Sequence, residues 1–270
     1  MNGPQTTRRP VTRLSQGAVE RLEDEIAVER PLEMRIEGRP LAVTLRTPGR
    51  DRELGLGFLA GEGLIRRPED VRAARETPAA CGDEPDLLEL ELAPGLSLDW
   101  SRLERHFAAT AACGLCGRAH LEALRTGLTP MEPGLPIDPE AIAGLPARLR
   151  EAQIAFAATG ALHAAAFCDS SLQVLALRED VGRHNAVDKI AGWLVGTGRY
   201  PAGTGLLWAS GRAGAEIALK AARARIPVLA AVGAPSSLAI EIAEAARMTL
   251  IGFLREGRMN VYCGLERIST

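Results

Sequence analysis

The sequence lacks an apolar run long enough to cross a membrane, and no apolar stretch follows its N-terminal arginines Arg8, Arg9 and Arg13 as a secretory signal would require. It lacks a disulfide framework. Its 5 cysteines are odd in number and mostly scattered, which points to a reducing compartment, the cytoplasm by default. It lacks a charge excess: the formal net charge is −2, so no nucleic-acid partner is expected, and no membrane partner either. It has no internal repeat and no low-complexity segment. There is no second Cys-x-x-Cys, and His106, His120, His163 and His184 show no paired spacing, so a zinc site would be short of ligands and no metal is assigned. What remains is an ordinary globular composition, 46% hydrophobic and 24% charged over 270 residues, ample for a real core.

One stretch stands out against that background: Cys113-Gly114-Leu115-Cys116-Gly117-Arg118-Ala119-His120. Gly114 and Gly117 permit backbone conformations closed to other residues. Leu121 to Arg125 reads as the opening of a helix, whose dipole and free N–H groups favour an anion and lower a nearby thiol's pKa. Half of a zinc site, a thioredoxin-like redox pair and a structural disulfide are the ordinary readings. The first lacks partners, the second lacks a strand in His106 to Thr110, and the third does not suit a chain without a secretory signal. A reactive pair that carries something bound to sulfur fits best.

Along the chain, residues 1–20 are polar and expected to be a frayed arm. Strands are expected from Ile26, at Leu32–Ile36 and at Leu41–Leu45, where apolar and polar residues alternate. Asp51 is expected to cap a helix running to Ile65, and Leu87–Leu92 to form a strand. Trp100–Phe107 is expected to be a short helix. Thr129–Pro136, rich in proline, is the expected boundary between an N-terminal α+β domain (1–136) and a C-terminal α/β domain (137–270). Beyond it a helix is expected from Pro139 to about Phe156. Short apolar strands at Leu162–Cys168, Leu172–Leu177, Gly205–Ala209, Val228–Val232 and Thr249–Leu254 then alternate with helices Asn185–Val195, Gly214–Ala224 and Ser237–Ala246. That alternation predicts a largely parallel sheet between helices.

In such sheets ligands gather beyond the strand C-termini. Polar clusters fall there repeatedly: Glu179-Asp180-Val181-Gly182-Arg183-His184-Asn185, Ser210-Gly211-Arg212, Gly233-Ala234-Pro235-Ser236-Ser237, and Arg255-Glu256-Gly257-Arg258-Met259-Asn260. Glycine, arginine and small hydroxyls at helix starts suit a phosphate-bearing ligand. Each has a plainer reading. Asp180 and Ser236 fit simple helix caps, His163 a satisfied core histidine, and Arg223, Arg225, Lys189 and Lys220 solvated charges.

These residues resemble the FdhD/NarQ family of formate dehydrogenase accessory sulfurtransferases. The similarity lies in Cys113–Gly117, in Gly57–Gly63, in the long Glu179–Lys189 run, in Ser210–Ala213, in Ala234–Ala239 and in Gly252–Tyr262, and it spans residues 25–263. The resemblance implies a cytoplasmic, homodimeric sulfur carrier with a cytidine-deaminase-like α/β/α C-terminal domain. It implies sulfur taken from a cysteine desulfurase and passed to the molybdenum cofactor, as bis(molybdopterin guanine dinucleotide), for formate dehydrogenase. Cys113 would bear the persulfide and Cys116 assist. Phe253, Leu254, Arg255, Glu256, Gly257 and Arg258 would contact the guanine nucleotide, for which GDP is a mimic. Asp180, Arg183, His184, Asn185, Ser210, Gly211, Arg212 and Ser236 complete the expected site. Deaminase chemistry is not implied, because His120-Leu121-Glu122 follows the cysteines and Ala112 stands where a proline is wanted. The alternative is a non-catalytic chaperone for the nucleotide cofactor, with the cysteines as a redox pair or metal clip.

Overall fold

The computed structural model describes residues 3–80, 84–96, 98, 100, 128–134 and 136–269. Cys81, Cys113, Cys116, Arg118, His120 and the expected Trp100–Phe107 helix fall wholly or largely outside these residues.

The chain opens with a hairpin, where a frayed arm was expected. β1 (Thr6–Ser15) pairs antiparallel with β2 (Ala18–Ala27) through a tight turn at Gln16 (φ 44°) and Gly17 (φ 86°). Positive φ at both turn positions matches the right-handed twist of the flanking strands. The apolar alternation that marks a half-buried strand is missing, because most hairpin side chains are exposed. Cross-strand charge pairs such as Arg8–Glu25 at 3.8 Å take its place.

β3 (Arg30–Ile36), β4 (Arg39–Arg46), β5 (Val71–Thr77) and β6 (Asp86–Leu92) form a four-stranded sheet in the order β4-β3-β6-β5. Leu32, Met34, Ile36, Leu88, Leu90 and Leu92 line its inner face and are buried, as strand alternation requires. Helix α1 (Asp51–Glu62) packs against that face. Its N-cap is Arg50 in the left-handed region (φ 62°), not Asp51, and the helix stops at Glu62. Asp51 is otherwise engaged, accepting from Arg46 Nε at 2.9 Å.

The expected helix over 139–156 is instead three short ones: α2 (Pro139–Ala143), α3 (Leu145–Glu151) and α4 (Ile154–Thr159). Gly144 and Pro146 break it, because proline lacks the N–H and crowds the preceding turn.

The second sheet has six strands in the order β12-β11-β10-β9-β7-β8. They are β7 (His163–Cys168), β8 (Val174–Asp180), β9 (Leu206–Ala209), β10 (Val228–Ala231), β11 (Thr249–Arg255) and β12 (Arg258–Cys263). Helices α5 (Arg183–Gly196), α6 (Ala215–Arg223) and α7 (Ser237–Ala245) connect them. The sheet is mixed, not largely parallel. β10 runs parallel to β9 and β11, but β7 opposes both its neighbours and β12 opposes β11. β8, β9, β10 and β11 nonetheless all point the same way, so their C-terminal ends share one edge.

Alternate residues of the sheet enter two cores. Phe167, Leu207, Leu229 and Leu250 join α1, α5, α6, α7 and the inner face of the first sheet in one continuous cluster. Ala166, Trp208, Ala230 and Ile251 join Ile142, Leu145 and Leu149 on the opposite side.

Candidate functional site

Two regions collect the polar residues singled out from the sequence. The first is a seam between the four-stranded sheet, α1 and α5. Here a Cβ on Gly57 would lie 1.7 Å from the Asp188 carbonyl oxygen, and one on Gly192 would lie 1.7 Å from that of Glu53. The helices touch backbone to backbone at Gly57 and Gly192, whereas Gly55 of α1 makes room for the Leu88 side chain. Around it sit buried ion pairs. Lys189 Nζ is 2.6 Å from Asp180 Oδ2, both almost fully buried, and donates to the Thr47 carbonyl at 2.9 Å. Asp180 also accepts from the backbone N–H groups of Thr47 and Gly182 and from Asn185 Nδ2. Asn185 Nδ2 donates onward to the Leu45 carbonyl at 2.8 Å. Asp180 and Asn185 therefore fasten α5 to the β4–α1 connection.

Lys220 Nζ lies 2.6 Å from both Asp188 oxygens. Burial pushes the Asp188 carboxyl up to about 7 against the pull of Lys220. Burial opposes the charge on Lys220 too, but Asp188 and the neighbouring Glu216 and Glu62 outweigh it and raise the ammonium pKa. Lys189 and Lys220 are thus core charges and not solvated ones. Arg223 likewise turns inward, donating to the Gly61 carbonyl.

The second region is the shared edge of the six-stranded sheet. Its loops are stitched together by backbone bonds: Gly233 N–H donates to Gly211 O at 2.9 Å, Phe253 N–H to Gly233 O at 3.1 Å, and Ala213 N–H to Ala234 O at 3.2 Å. A Cβ on Gly233 would come within 3.0 Å of both Arg212 Cα and Gly211 O, so the loops close up only around glycine. Ser236 caps α7, accepting from Ala239 N–H at 3.2 Å. Ser210 Oγ accepts from Ala164 N–H at 2.9 Å and lies 3.4 Å from His163 Nδ1. The fourth cluster is a hairpin and not an open loop. Glu256 and Gly257 (φ 75°) turn β11 into β12, opposing Arg255 to Arg258. Just before the turn, Phe253 sits at φ 51° with 41% of its surface exposed, on a bulge in the β11–β12 register. A non-glycine residue held in this region stores backbone strain, a feature that clusters at binding sites.

The edge differs from the seam in its charges. Among the described residues, Arg183, Arg212, Arg255 and Arg258 make no ion pair, and they are half-buried or exposed. His184 Nε2 approaches Glu216 at 3.6 Å, and burial lowers its pKa despite that carboxylate. A cavity of about 490 Å³ opens beside the turn, lined by Leu254, Arg255, Glu256, His163, Ser210 and Trp208 among others. A larger one, about 850 Å³, lies at the base of the β1–β2 hairpin. Its buried cation, Arg46, is already held by Asp51 and by Asp86 Oδ2 at 2.6 Å. The smaller cavity is the one that adjoins the arginines of the edge, with Arg255 on its wall and without an ion pair among the described residues. Trp208, Phe156 and Gln153 on its wall carried no signal in the sequence, although an aromatic residue at a strand's C-terminal end is a fair flag.

A profile of the FdhD/NarQ family matches residues 27–269. The chain belongs to the FdhD/NarQ family. The Streptomyces avermitilis protein named sulfur carrier protein FdhD is 45% identical over 273 residues, covering 99% of this chain and 97% of its own length. The Mycobacterium tuberculosis protein of the same name is 44% identical over 278 residues, covering 99% of this chain and 100% of its own. The crystal structure of a putative formate dehydrogenase accessory protein from Desulfotalea psychrophila superposes with a TM-score of 0.79. It covers 98% of this chain and 100% of its own at 21% identity, a likeness of fold. No helix among the described residues is long and apolar enough to cross a membrane.

Proposed function

We propose that this FdhD/NarQ chain is a sulfur carrier that serves formate dehydrogenase maturation, with bis(molybdopterin guanine dinucleotide) as the substrate it sulfurates. The observation that carries the ligand half is the shared sheet edge, where Arg183, Arg212, Arg255 and Arg258 stand without ion partners among the described residues. Unpaired guanidinium groups beside glycine-lined backbone suit phosphates, which they grip in bidentate fashion. The curated relatives' name, sulfur carrier protein, supports the sulfur half.

In this reading the Cys113 thiolate attacks the terminal sulfur of a cysteine desulfurase persulfide. The donor's S–S bond breaks, the donor thiolate leaves, and Cys113 becomes Cys–S–SH with no net oxidation. The Cys116 thiolate then attacks the inner sulfur of Cys113. Hydrosulfide departs for the cofactor and a Cys113–Cys116 disulfide remains, the two electrons having come from Cys116. A cellular dithiol restores the pair. A second copy of the chain, the desulfurase and formate dehydrogenase are the expected partners, in the cytoplasm.

Two experiments test this. Full-length protein incubated with a cysteine desulfurase and cysteine should gain the mass of one sulfur at Cys113, and the Cys113→Ala variant should gain none. Equal labelling of both would remove the assignment. Arg258→Ala should weaken GDP binding about tenfold, the size of one charge-assisted contact. Unchanged affinity would remove the nucleotide from this edge.

A further inference from the structure

Four titratable side chains form a row that runs between α5 and α6 from the seam to the edge. His184 and Asp188 stand about one turn apart on α5, and Glu216 and Lys220 about one turn apart on α6. Residues four apart share a helix face, so the two pairs meet across the helix interface. His184 Nε2 lies 3.6 Å from Glu216 Oε2, and Glu216 Oε1 lies 3.6 Å from Lys220 Nζ. Lys220 Nζ in turn lies 2.6 Å from both Asp188 oxygens. Base and acid alternate along the row. Its inner end, Lys220 and Asp188, is buried, and its outer end, His184 and Glu216, is half-buried. That outer end adjoins the shared edge, because α5 follows β8 and α6 follows β9.

The neighbours of His184 set its charge. Burial is the largest influence and lowers its pKa; Glu216 opposes this, and Arg183, Lys220 and His163 add to it. Asp180, at the end of β8, is already matched by Lys189, and Glu62 of α1 acts on the Lys220 end of the row. In the free protein the ring is therefore uncharged above pH 7. Arg183 also belongs to the edge: a Cβ on Gly211 would lie 3.5 Å from its Cδ. An anion bound to Arg183 cancels one charge that opposes a proton on His184 and adds one that favours it. Glu216 already stands where it can hold the imidazolium.

We propose that binding of a diphosphate-bearing anion at the edge is coupled to uptake of a proton by His184, whose imidazolium then pairs with Glu216. The inference rests on the nucleotide reading above and adds a proton to the binding equilibrium. The proton passes from solvent to a ring nitrogen lone pair, and no other bond forms or breaks. The row then reads imidazolium, carboxylate, ammonium, carboxylate, with opposite charges at every step. Because the bound state holds the proton more tightly, affinity falls as pH rises.

The test is calorimetric titration of GDP into the full chain at about pH 7.5, in buffers of different ionisation enthalpy, which counts the protons exchanged on binding. The wild type should take up about half a proton per GDP, and its affinity should fall about threefold per pH unit from about pH 7 to 8.5. The GDP phosphate, with a second pKa of about 6, gives the opposite sign, because contact with arginine favours its ionised form and releases protons. His184→Gln should bind GDP without uptake and without the fall in affinity. Glu216→Gln should cut the uptake by about half, because the imidazolium loses its carboxylate. Circular dichroism checks folding; if His184→Gln is unstable, Glu216→Gln decides the matter. Uptake unchanged in the deciding variant would place the proton elsewhere and overturn the assignment. GDP binding by the wild type with no net uptake would overturn the coupling and leave the nucleotide reading intact. Failure of the wild type to bind GDP at all would overturn the nucleotide reading and the coupling with it.

Discussion

The seam at α1 and α5 and the edge at the ends of β8–β11 draw on the same residue types, yet use them in opposite ways. In the seam every charge is matched: Lys189 with Asp180, Lys220 with Asp188, Arg46 with Asp51 and Asp86. At the edge the arginines have no matching carboxylate among the described residues. Glycine divides the same way. Gly57 and Gly192 make room for a neighbouring helix, whereas Gly233 lets its loop close against the Gly211–Arg212 backbone. Buried charges are kept only when paired, because desolvation is otherwise too costly. The edge arginines are half-buried or exposed and meet no such requirement, and in the proposed function it is a phosphate-bearing ligand that pairs with them.

The largest expected effect would break the seam. Gly57→Ala or Gly192→Ala forces a methyl into a backbone carbonyl, and should cost about 3 kcal/mol or more in urea unfolding. A loss below about 1 kcal/mol would mean the two helices can part without harm. Next, Lys220→Met strands Asp188 in the core and should cost about 3 kcal/mol at pH 7. The pH dependence carries a sign. The folded pKa of Asp188 is raised to about 7, and losing Lys220 raises it further. A raised acid loses stabilisation as pH rises through its folded pKa, so the variant's deficit should widen from pH 7 to pH 9. A constant deficit across that window would argue against ionised Asp188 as the cause.

The edge should behave otherwise. Arg183→Ala and Arg212→Ala should leave the unfolding free energy in urea within about 0.5 kcal/mol of wild type while weakening GDP binding. A large stability loss there would erase the contrast between the two regions. The smallest effect is a gain. A Cβ on Gly196, the last residue of α5, meets nothing within 4 Å, so Gly196→Ala should stabilise by about 0.5 kcal/mol. Any loss would reveal a contact at that helix end.

Much of this was legible in the chain itself. Leu32–Ile36 and Leu87–Leu92 alternate because one sheet face is buried, and both form strands. The polar clusters after β8, β9, β10 and β11 share an edge because those strands run in one direction. Other elements were silent. β1 and β2 are stabilised by cross-strand partners some 20 residues apart, as Thr6 opposite Ala27, a pairing no local pattern reveals. Asp180 and Asn185 sat in a cluster that suggested a ligand, but their side chains turn toward Leu45 and Thr47, more than 130 positions away in the chain. Trp208 and Phe156 carried no signal of their own until the fold set them on a common wall.

Sequence alone determined the family, the alternating elements of the second half and the edge where arginine and glycine collect, because hydrophobic period and motif spacing are local properties. Only the tertiary structure decided which charges are consumed and which remain open, because that depends on what lies opposite each side chain. Asp180, Arg183 and Lys189 stand within ten positions of one another. Asp180 and Lys189 neutralise each other in the core, and the guanidinium between them stays at the rim with no ion partner among the described residues.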